Sequence, residues 1–483
     1  MKFHSPENFS AFSLERIAEY GEKKRNTILS RFDIEDPTNL EEAIGKGAYR
    51  AFVELLLHPE IGDKIRSKAI TDRQSQSLLL EKLEQIAGIS SPDKVLVTSL
   101  ADHDPETFFG KTIAAKNPHL IVESILIAAR IAKVEEAMIY IDERDREAAE
   151  ILKKALLDAR EIGLVGERIL GIDFSLNIRI RIGMRNFVHM DDSAFKASLH
   201  GRRAEPVYPD LYPHAFIFPS EALIQLPIAR ETEDDEIPAL FALTGQITRA
   251  GISEYTSETT LRTIIEQAGG IKDKKEFKAA LIGDTFFDEN ELDVDILRVE
   301  KSRFQDGNIT FFDANDCIVS RLRFTLGSLY EETCGKCTPC RIGIKRILEA
   351  LDLLIGGKGS EEDVRRIREL SLYVRQTSLC ALGKKSAGIV LSALEKFEGE
   401  FLAHADKKCP AGSCKALVQY RIVTPNCLGC GMCARNCPVN AIFKTDLFGK
   451  NPRLNAFAID SKKCVKCGTC LAKCPAKPKA IVR

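Results

Sequence analysis

The chain has 483 residues, 44% of them hydrophobic, with 69 Lys plus Arg against 70 Asp plus Glu. That length allows roughly three domains of about 150 residues, and the cancelled charge excludes whole-chain attraction to nucleic acid or an anionic membrane. The first twelve residues lack an apolar core, and the apolar stretch 120–132 is cut by Glu123 and Arg130, so the expectation is a cytoplasmic protein with neither a signal peptide nor a membrane span.

Residues 1–75 read as a charged helical segment, with apolar residues at helical spacing over 40–57. Strand-like 94–98 and 137–141 then alternate with helical 119–132 and 144–162, the pattern of a mostly parallel α/β sheet. Alternating residues over 174–182 predict another strand, and 191–199 a short helix. The block 76–235 closes in an acidic run, 231–236, that reads as a linker. Residues 236–315, with two short strands around Gly245 and Gly251 and a capped helix over 257–267, fit a β-grasp-like module. Residues 316–405 carry amphipathic helices over 342–355, 361–376 and 385–401, and 406–483 carry an internal repeat.

All fifteen cysteines fall in roughly the last third, none before Cys317. In a reducing compartment, cysteines clustered at C-x2-C spacing read as metal or cluster ligands and not as disulfides. Cys427, Cys430, Cys433 and Cys437 recur 37 residues later as Cys464, Cys467, Cys470 and Cys474, each set a C-x2-C-x2-C-x3-C-P run. In the two-cluster ferredoxin pattern three cysteines wrap one cluster and the fourth belongs to the other. On that rule Cys427, Cys430, Cys433 and Cys474 hold one 4Fe-4S cluster, and Cys464, Cys467, Cys470 and Cys437 a second. Two structural zinc sites would not require eight cysteines with two such endings. Cys334, Cys337 and Cys340 form a third set whose best fourth ligand is Cys380; a zinc knuckle or a three-iron cluster is the alternative. Lys336 and Arg341 are placed to ease addition of an electron to such an anionic site.

The runs Thr333-Cys-Gly-Lys-Cys-Thr-Pro-Cys-Arg-Ile-Gly343 and Ser378-Leu-Cys-Ala-Leu-Gly383 resemble the NADH-oxidising flavoprotein subunit of respiratory complex I. With Cys409-Pro-Ala-Gly-Ser-Cys414 and the terminal repeat, the chain is most similar to flavoprotein subunits of multimeric, often electron-bifurcating iron hydrogenases and formate dehydrogenases. The resemblance covers roughly residues 40–483 and implies a multidomain α/β fold. Its parts would be a flavoprotein-like α/β domain, a β-grasp module, a helical bundle with one iron-sulfur cluster and a ferredoxin domain with two.

The departures fall on the family's flavin and nicotinamide contacts. Its glycine-rich loop corresponds to 69–78, which has no glycine, although a backbone approaching a phosphate needs them. Its N-A-D-E-x-x-P-G segment survives as Ser99-Leu-Ala-Asp-His-Asp-Pro-Glu106, keeping Asp102 and Pro105. Its G-E-E-T-A-L run appears as His189-Met-Asp-Asp-Ser-Ala-Phe195, and its N-N-V-E-T run as Phe218-Pro-Ser-Glu-Ala222. Concerted loss at four contacts predicts that neither FMN nor NAD is bound.

Three cysteines remain. Cys317, His404, Cys409 and Cys414 supply one nitrogen and three sulfurs, a set suited to closed tetrahedral zinc, and the resemblance implies a comparable site in hydrogenase-type relatives. The alternative leaves Cys317 as a core residue and His404 on the surface. His58, His103, His119, His189, His200 and His214 are scattered without metal spacing, and Asp191 with Asp192 reads as solvated. Residues 407–483 carry fifteen Lys or Arg against Asp446 and Asp460, a basic balance that fits docking of acidic ferredoxin or an acidic partner face. The expected function is an iron-sulfur relay and scaffold subunit of a hydrogenase- or formate-dehydrogenase-like complex. The alternatives are an active FMN-dependent NAD(P)H:acceptor oxidoreductase, told apart by bound flavin, and a scaffold whose clusters do not reduce reversibly.

Overall fold

The computed structural model describes residues 27–482 except 59–61, 64, 66–67, 69, 73–76, 103–107, 185, 232–236, 257–258 and 295–306. Most of the expected linker, His103 and residues 1–26 of the N-terminal segment lie outside the described residues. The chain forms two compact units: residues up to 313 with 326–345 and 371–392, and residues 314–325, 346–370 and 393–483.

In the first unit, helices α1 (Leu40–Gly45), α2 (Arg50–Leu57) and α3 (Leu79–Ala87) precede strand β1 (Val95–Ser99). Helices α4 (Phe109–Lys116) and α5 (Pro118–Ala132) lead to β2 (Glu136–Asp142), and α6 (Arg146–Glu161) leads to β3 (Asn177–Gly183). Helix α7 (Asp192–Leu199) then precedes β4 (Ala215–Pro219). The four strands are all parallel, in the order β3-β2-β1-β4. The chain therefore runs outward from β1 to β3 and returns to the far side of β1, which makes the carboxyl ends of β1 and β4 the switch point where open α/β sheets bind ligands.

Local chemistry explains these elements. Asn117 accepts the Leu120 N–H, Pro118 opens the first turn of α5, and left-handed Lys133 ends it. Every α5 residue except Arg130 is buried, so its apolar run is a core helix. Strand alternation sends Leu96, Ile139 and Ile141 to the main core with α5, and Val97, Tyr140 and Ile217 to the opposite face. Lys94 is buried, and its Nζ donates to Ile86 O (3.2 Å) and Ala132 O (3.3 Å) near the carboxyl ends of α3 and α5, where a cation is favoured. Buried Glu123 on α5 accepts the Ala51 and Phe52 N–H groups at the start of α2 through one carboxylate oxygen. The strand expected over 174–182 begins at Asn177, because Leu176 instead bridges to Gly166.

The same unit holds a five-stranded sheet of β5 (Ala239–Gly245), β6 (Gly251–Tyr255), β7 (Phe277–Ile282), β8 (Thr285–Asp288) and β9 (Asn308–Asp313), in the order β8-β7-β9-β5-β6. β9 pairs with β5 in parallel and every other neighbour is antiparallel. Helix α8 (Leu261–Gln267) packs Leu261 and Ile264 into this sheet's core. It starts later than residue 257 because Thr260 is the N-cap, accepting the Thr263 N–H.

Helices α9 (Ile318–Glu331), α10 (Lys345–Ile355), α11 (Glu361–Thr377) and α12 (Ala381–Ala405) follow. The α-helix expected from 342 begins only at Lys345, after a π-helical turn over Pro339–Ile344, and the one expected over 385–401 extends at both ends. The last part of the second unit pairs β10 (Arg421–Ile422) with β13 (Ile481–Val482) and β11 (Ile442–Phe448) with β12 (Asn455–Ile459), around the short helices α13 (Met432–Arg435) and α14 (Thr469–Lys473). No helix among the described residues is long and apolar enough to cross a membrane.

Candidate metal centres

The two C-x2-C-x2-C loops adopt the same backbone. Gly429 and Gly431 have φ of 67°, and Lys466 and Gly468, 37 positions on, have φ of 57° and 76°. Left-handed residues on both sides of the middle cysteine curl each loop around a centre, a conformation that Lys466 adopts at a steric cost. Each loop closes a cavity. One is lined by Cys427, Cys430, Cys433 and Cys474 with apolar neighbours such as Phe457 and Ile481. The other is lined by Cys437, Cys464, Cys467 and Cys470 with Tyr420 and Ile459. The fourth cysteine of each run thus lines the cavity of the other run. Burial raises the Cys433 thiol pKa to about 11 and raises that of Cys470. At Cys467 the nearby Thr469 hydroxyl and amide lower it. Buried thiols that resist ionisation alone suit a cationic iron core.

In the first unit Cys340 and Cys380 are buried and Cys334 and Cys337 half-buried. Burial first, then neighbouring Cys337, Cys380 and Cys334, push the Cys340 pKa up to about 12, so the four thiols stand as one electrostatic group. Cys380 is raised by burial against the pull of the Gly383 and Leu382 amides. A side chain at Gly383 would put its Cβ 2.5 Å from Ser378 Oγ and 3.5 Å from Cys340 Cβ, so only glycine lets the backbone come this close. The loop is tied to the sheet domain, with Arg203 donating to Cys334 O (2.6 Å) and Lys336 to Pro206 O (2.6 Å). Lys336 also pairs with Glu205 at 3.5 Å and Arg341 donates to Gly335 O, so both expected cations are tied to neighbouring protein groups.

Cys317, His404, Cys409 and Cys414 bring their ligand atoms within 4.8 Å of one another. His404 Nε2 lies 3.2 Å from Cys317 Sγ and 3.4 Å from Cys414 Sγ, and the two sulfurs are 3.5 Å apart. A tetrahedron with metal-ligand bonds of about 2.0–2.3 Å has edges of roughly 3.5–3.8 Å, close to these separations. His404 Nδ1 stands 2.7 Å from Glu400 O, the carbonyl contact that orients a ligating imidazole. Burial alone would lower the His404 pKa, but contacts with Cys317 and Cys409 outweigh it and raise it to about 10. Contacts with Cys409 and Cys414, then burial, push Cys317 up, while contacts with Cys317 and Cys414 push Cys409 far down. His404 is fully buried, and none of the four behaves as an isolated side chain.

At the switch point the described residues pack closely. Asp102 Oδ1 accepts the Phe109 and Gly110 N–H groups (3.0 and 3.4 Å) at the start of α4, donors of the kind a phosphate would use. A Cβ at Gly110 would meet Leu100 O at 1.8 Å, so α4 lies tight against the end of β1. On the adjoining sheet face Tyr140, His189 and Phe195 interlock, with His189 stacked on Phe195 at 4.6 Å and Tyr140 edge-on to Phe195 at 4.9 Å. Burial lowers the His189 pKa to about 4, and that of His119 equally, beside Tyr49; both serve as neutral core residues at neutral pH. Asp191 caps α7. Ser378 and Gly383, the ends of the run that carries the resemblance, and Tyr420 border the cysteine centres without having been named as functional residues from the sequence.

Comparison with known proteins matches three regions of the chain. The NADH-ubiquinone oxidoreductase-F iron-sulfur binding region matches residues 320–404, the Nuo51 FMN-binding domain 79–226, and the 4Fe-4S dicluster domain 426–477. The FMN-domain match bears against the expectation that flavin is absent, although it begins after the glycine-free 69–78. The chain is 34% identical to the NADP-reducing hydrogenase subunit HndC of Solidesulfovibrio fructosivorans, over 88% of this chain and 93% of that one. It is 27% identical to the F subunit of the NADH-quinone oxidoreductase of Aquifex aeolicus, over 80% and 96%. An NAD+-reducing [NiFe]-hydrogenase in the H2-reduced state shares the fold with a TM-score of 0.65 at 18% identity, over 74% of this chain and 65% of that one. Three cysteine-lined centres, a parallel sheet and these matches together establish that the chain belongs to the NADH-quinone oxidoreductase F-subunit family and its hydrogenase counterparts, as an electron-transfer subunit with iron-sulfur binding domains.

Proposed function

We propose that this chain is a relay and scaffold subunit that binds neither flavin nor NAD, working within a hydrogenase- or formate-dehydrogenase-like complex. The observation that carries the reading is the crevice at β1 and β4. There Asp102 takes the first N–H groups of α4, and Tyr140, His189 and Phe195 fill the adjoining face. Among the described residues this arrangement fits FMN poorly.

Cys334, Cys337, Cys340 and Cys380 would hold one 4Fe-4S cluster, Cys427, Cys430, Cys433 and Cys474 a second, and Cys464, Cys467, Cys470 and Cys437 a third. When bound, such clusters take up and return single electrons. The protein supplies the thiolates, the apolar cavity walls that exclude water, and the backbone turns that fix each ligand. Cys317, His404, Cys409 and Cys414 would hold structural zinc. The domains proposed are 1–75, 76–235, a β-grasp module over 236–315, a helical region over 316–405 and a ferredoxin-like domain over 406–483. The basic 407–483 segment favours acidic ferredoxin as a further partner.

The second reading, an FMN-dependent NAD(P)H oxidoreductase, is favoured by the FMN-domain match over 79–226. Anaerobic addition of NADH to the purified chain distinguishes them. Under the relay reading NADH leaves the iron-sulfur absorbance unchanged while dithionite bleaches it reversibly. Bleaching by NADH would establish the enzyme reading, and no reversible bleaching by either reductant would make the centres structural.

A further inference from the structure

Ser378 is buried, 5% exposed, and its Oγ has no hydrogen-bond partner among the described residues. A buried hydroxyl left without an acceptor is destabilising, and such groups in native proteins usually face an acceptor that the polypeptide does not itself supply. Its surroundings indicate which acceptor this is. Ser378 stands two residues before Cys380, on the turn between α11 and α12. Its backbone N–H is used by Val374 O, so the backbone is fixed and only the hydroxyl is left over. Ser378 Oγ and Cys340 Cβ flank the same point, 2.5 and 3.5 Å from where a Gly383 Cβ would stand. The hydroxyl thus sits among two of the four cysteines and beside the amides of Leu382 and Gly383 that face Cys380.

We infer that Ser378 donates its O–H to a sulfur of the group held by Cys334, Cys337, Cys340 and Cys380, and so raises that centre's reduction potential. The inference rests on the reading of those four cysteines as cluster ligands. No covalent bond changes: the hydrogen stays on Oγ throughout. Uptake of one electron, supplied by dithionite, makes the sulfur a stronger acceptor, so the donor stabilises the reduced form more than the oxidised form. This is a potential-setting contact, separate from the ligands that hold the iron.

The test is a redox titration of the full-length holoprotein followed by electron paramagnetic resonance, comparing wild type with Ser378→Ala. The expected result is unchanged iron with the reduced-to-oxidised ratio of this one centre, at fixed potential, falling about tenfold, equivalent to about 59 mV for a one-electron couple. The two terminal centres should titrate as before, which serves as the internal control. Ser378→Cys, whose S–H is a weaker donor, should fall between the two. An unchanged midpoint in Ser378→Ala with full iron would overturn the inference. Should Ser378→Ala fail to retain its iron, Ser378→Cys decides: a midpoint below wild type supports the contact and an identical one overturns it. Failure of the underlying reading is separately visible, because Cys380→Ala would then lose no iron.

Discussion

Replacing Cys437 with alanine should abolish the same iron centre as replacing Cys467, although the two belong to different halves of the repeat. Cys437 lines the cavity of Cys464, Cys467 and Cys470, while its own run lines the other cavity with Cys474. Each single variant is therefore expected to lose about four irons per chain, and the double variant no more than either alone. Non-additivity of this kind is what a shared centre requires. Ferredoxin reduction should stop in all three variants while the Cys334 centre keeps its signal. A double variant missing about eight irons would mean that each run binds its own cluster, and the crossed pairing would be abandoned.

The second large effect is expected at Cys409. Four ligand atoms within 4.8 Å, with His404 fully buried, are hard to keep together without a cation: thiolates repel one another, and neutral thiols leave the imidazole poorly satisfied. Structural zinc contributes folding free energy directly, on the order of 10 kcal/mol in small zinc domains. Cys409→Ala should lose about one zinc per chain. Residues 406–483 should become sensitive to proteolysis, while freshly purified protein retains its iron. Chelator treatment of wild type should reproduce the effect. Unchanged zinc in Cys409→Ala, or loss of iron with zinc retained, would show that these residues do not hold zinc.

The repeat was legible because its ligands lie within eleven consecutive positions twice over, and the fourth ligand's crossing follows the two-cluster ferredoxin pattern. Helix α5, β1 and β2 were legible from periodicity. Strands β7, β8 and β9 were not, since their apolar runs such as 277–282 carry no period-2 signal when both faces are covered. β4 is five residues that follow Pro213 closely and end on Pro219, which reads as loop. The aromatic closure by Tyr140, His189 and Phe195 joins residues about fifty positions apart, and Ser378, though it opens a recognised run, shows its role only once its burial is known. Cys317 could be named from the sequence only by elimination, since it meets His404 across more than eighty residues of chain.

Electrons pass through this subunit, in the reading proposed above, by way of protein-held iron and not through a flavin of its own. Flavin, iron and zinc per chain, measured on protein purified anaerobically, test that claim most directly. The expected result is no flavin, about twelve irons and about one zinc. One FMN per chain would contradict it, and would mean that a backbone arrangement without the glycines of a phosphate loop still holds the cofactor.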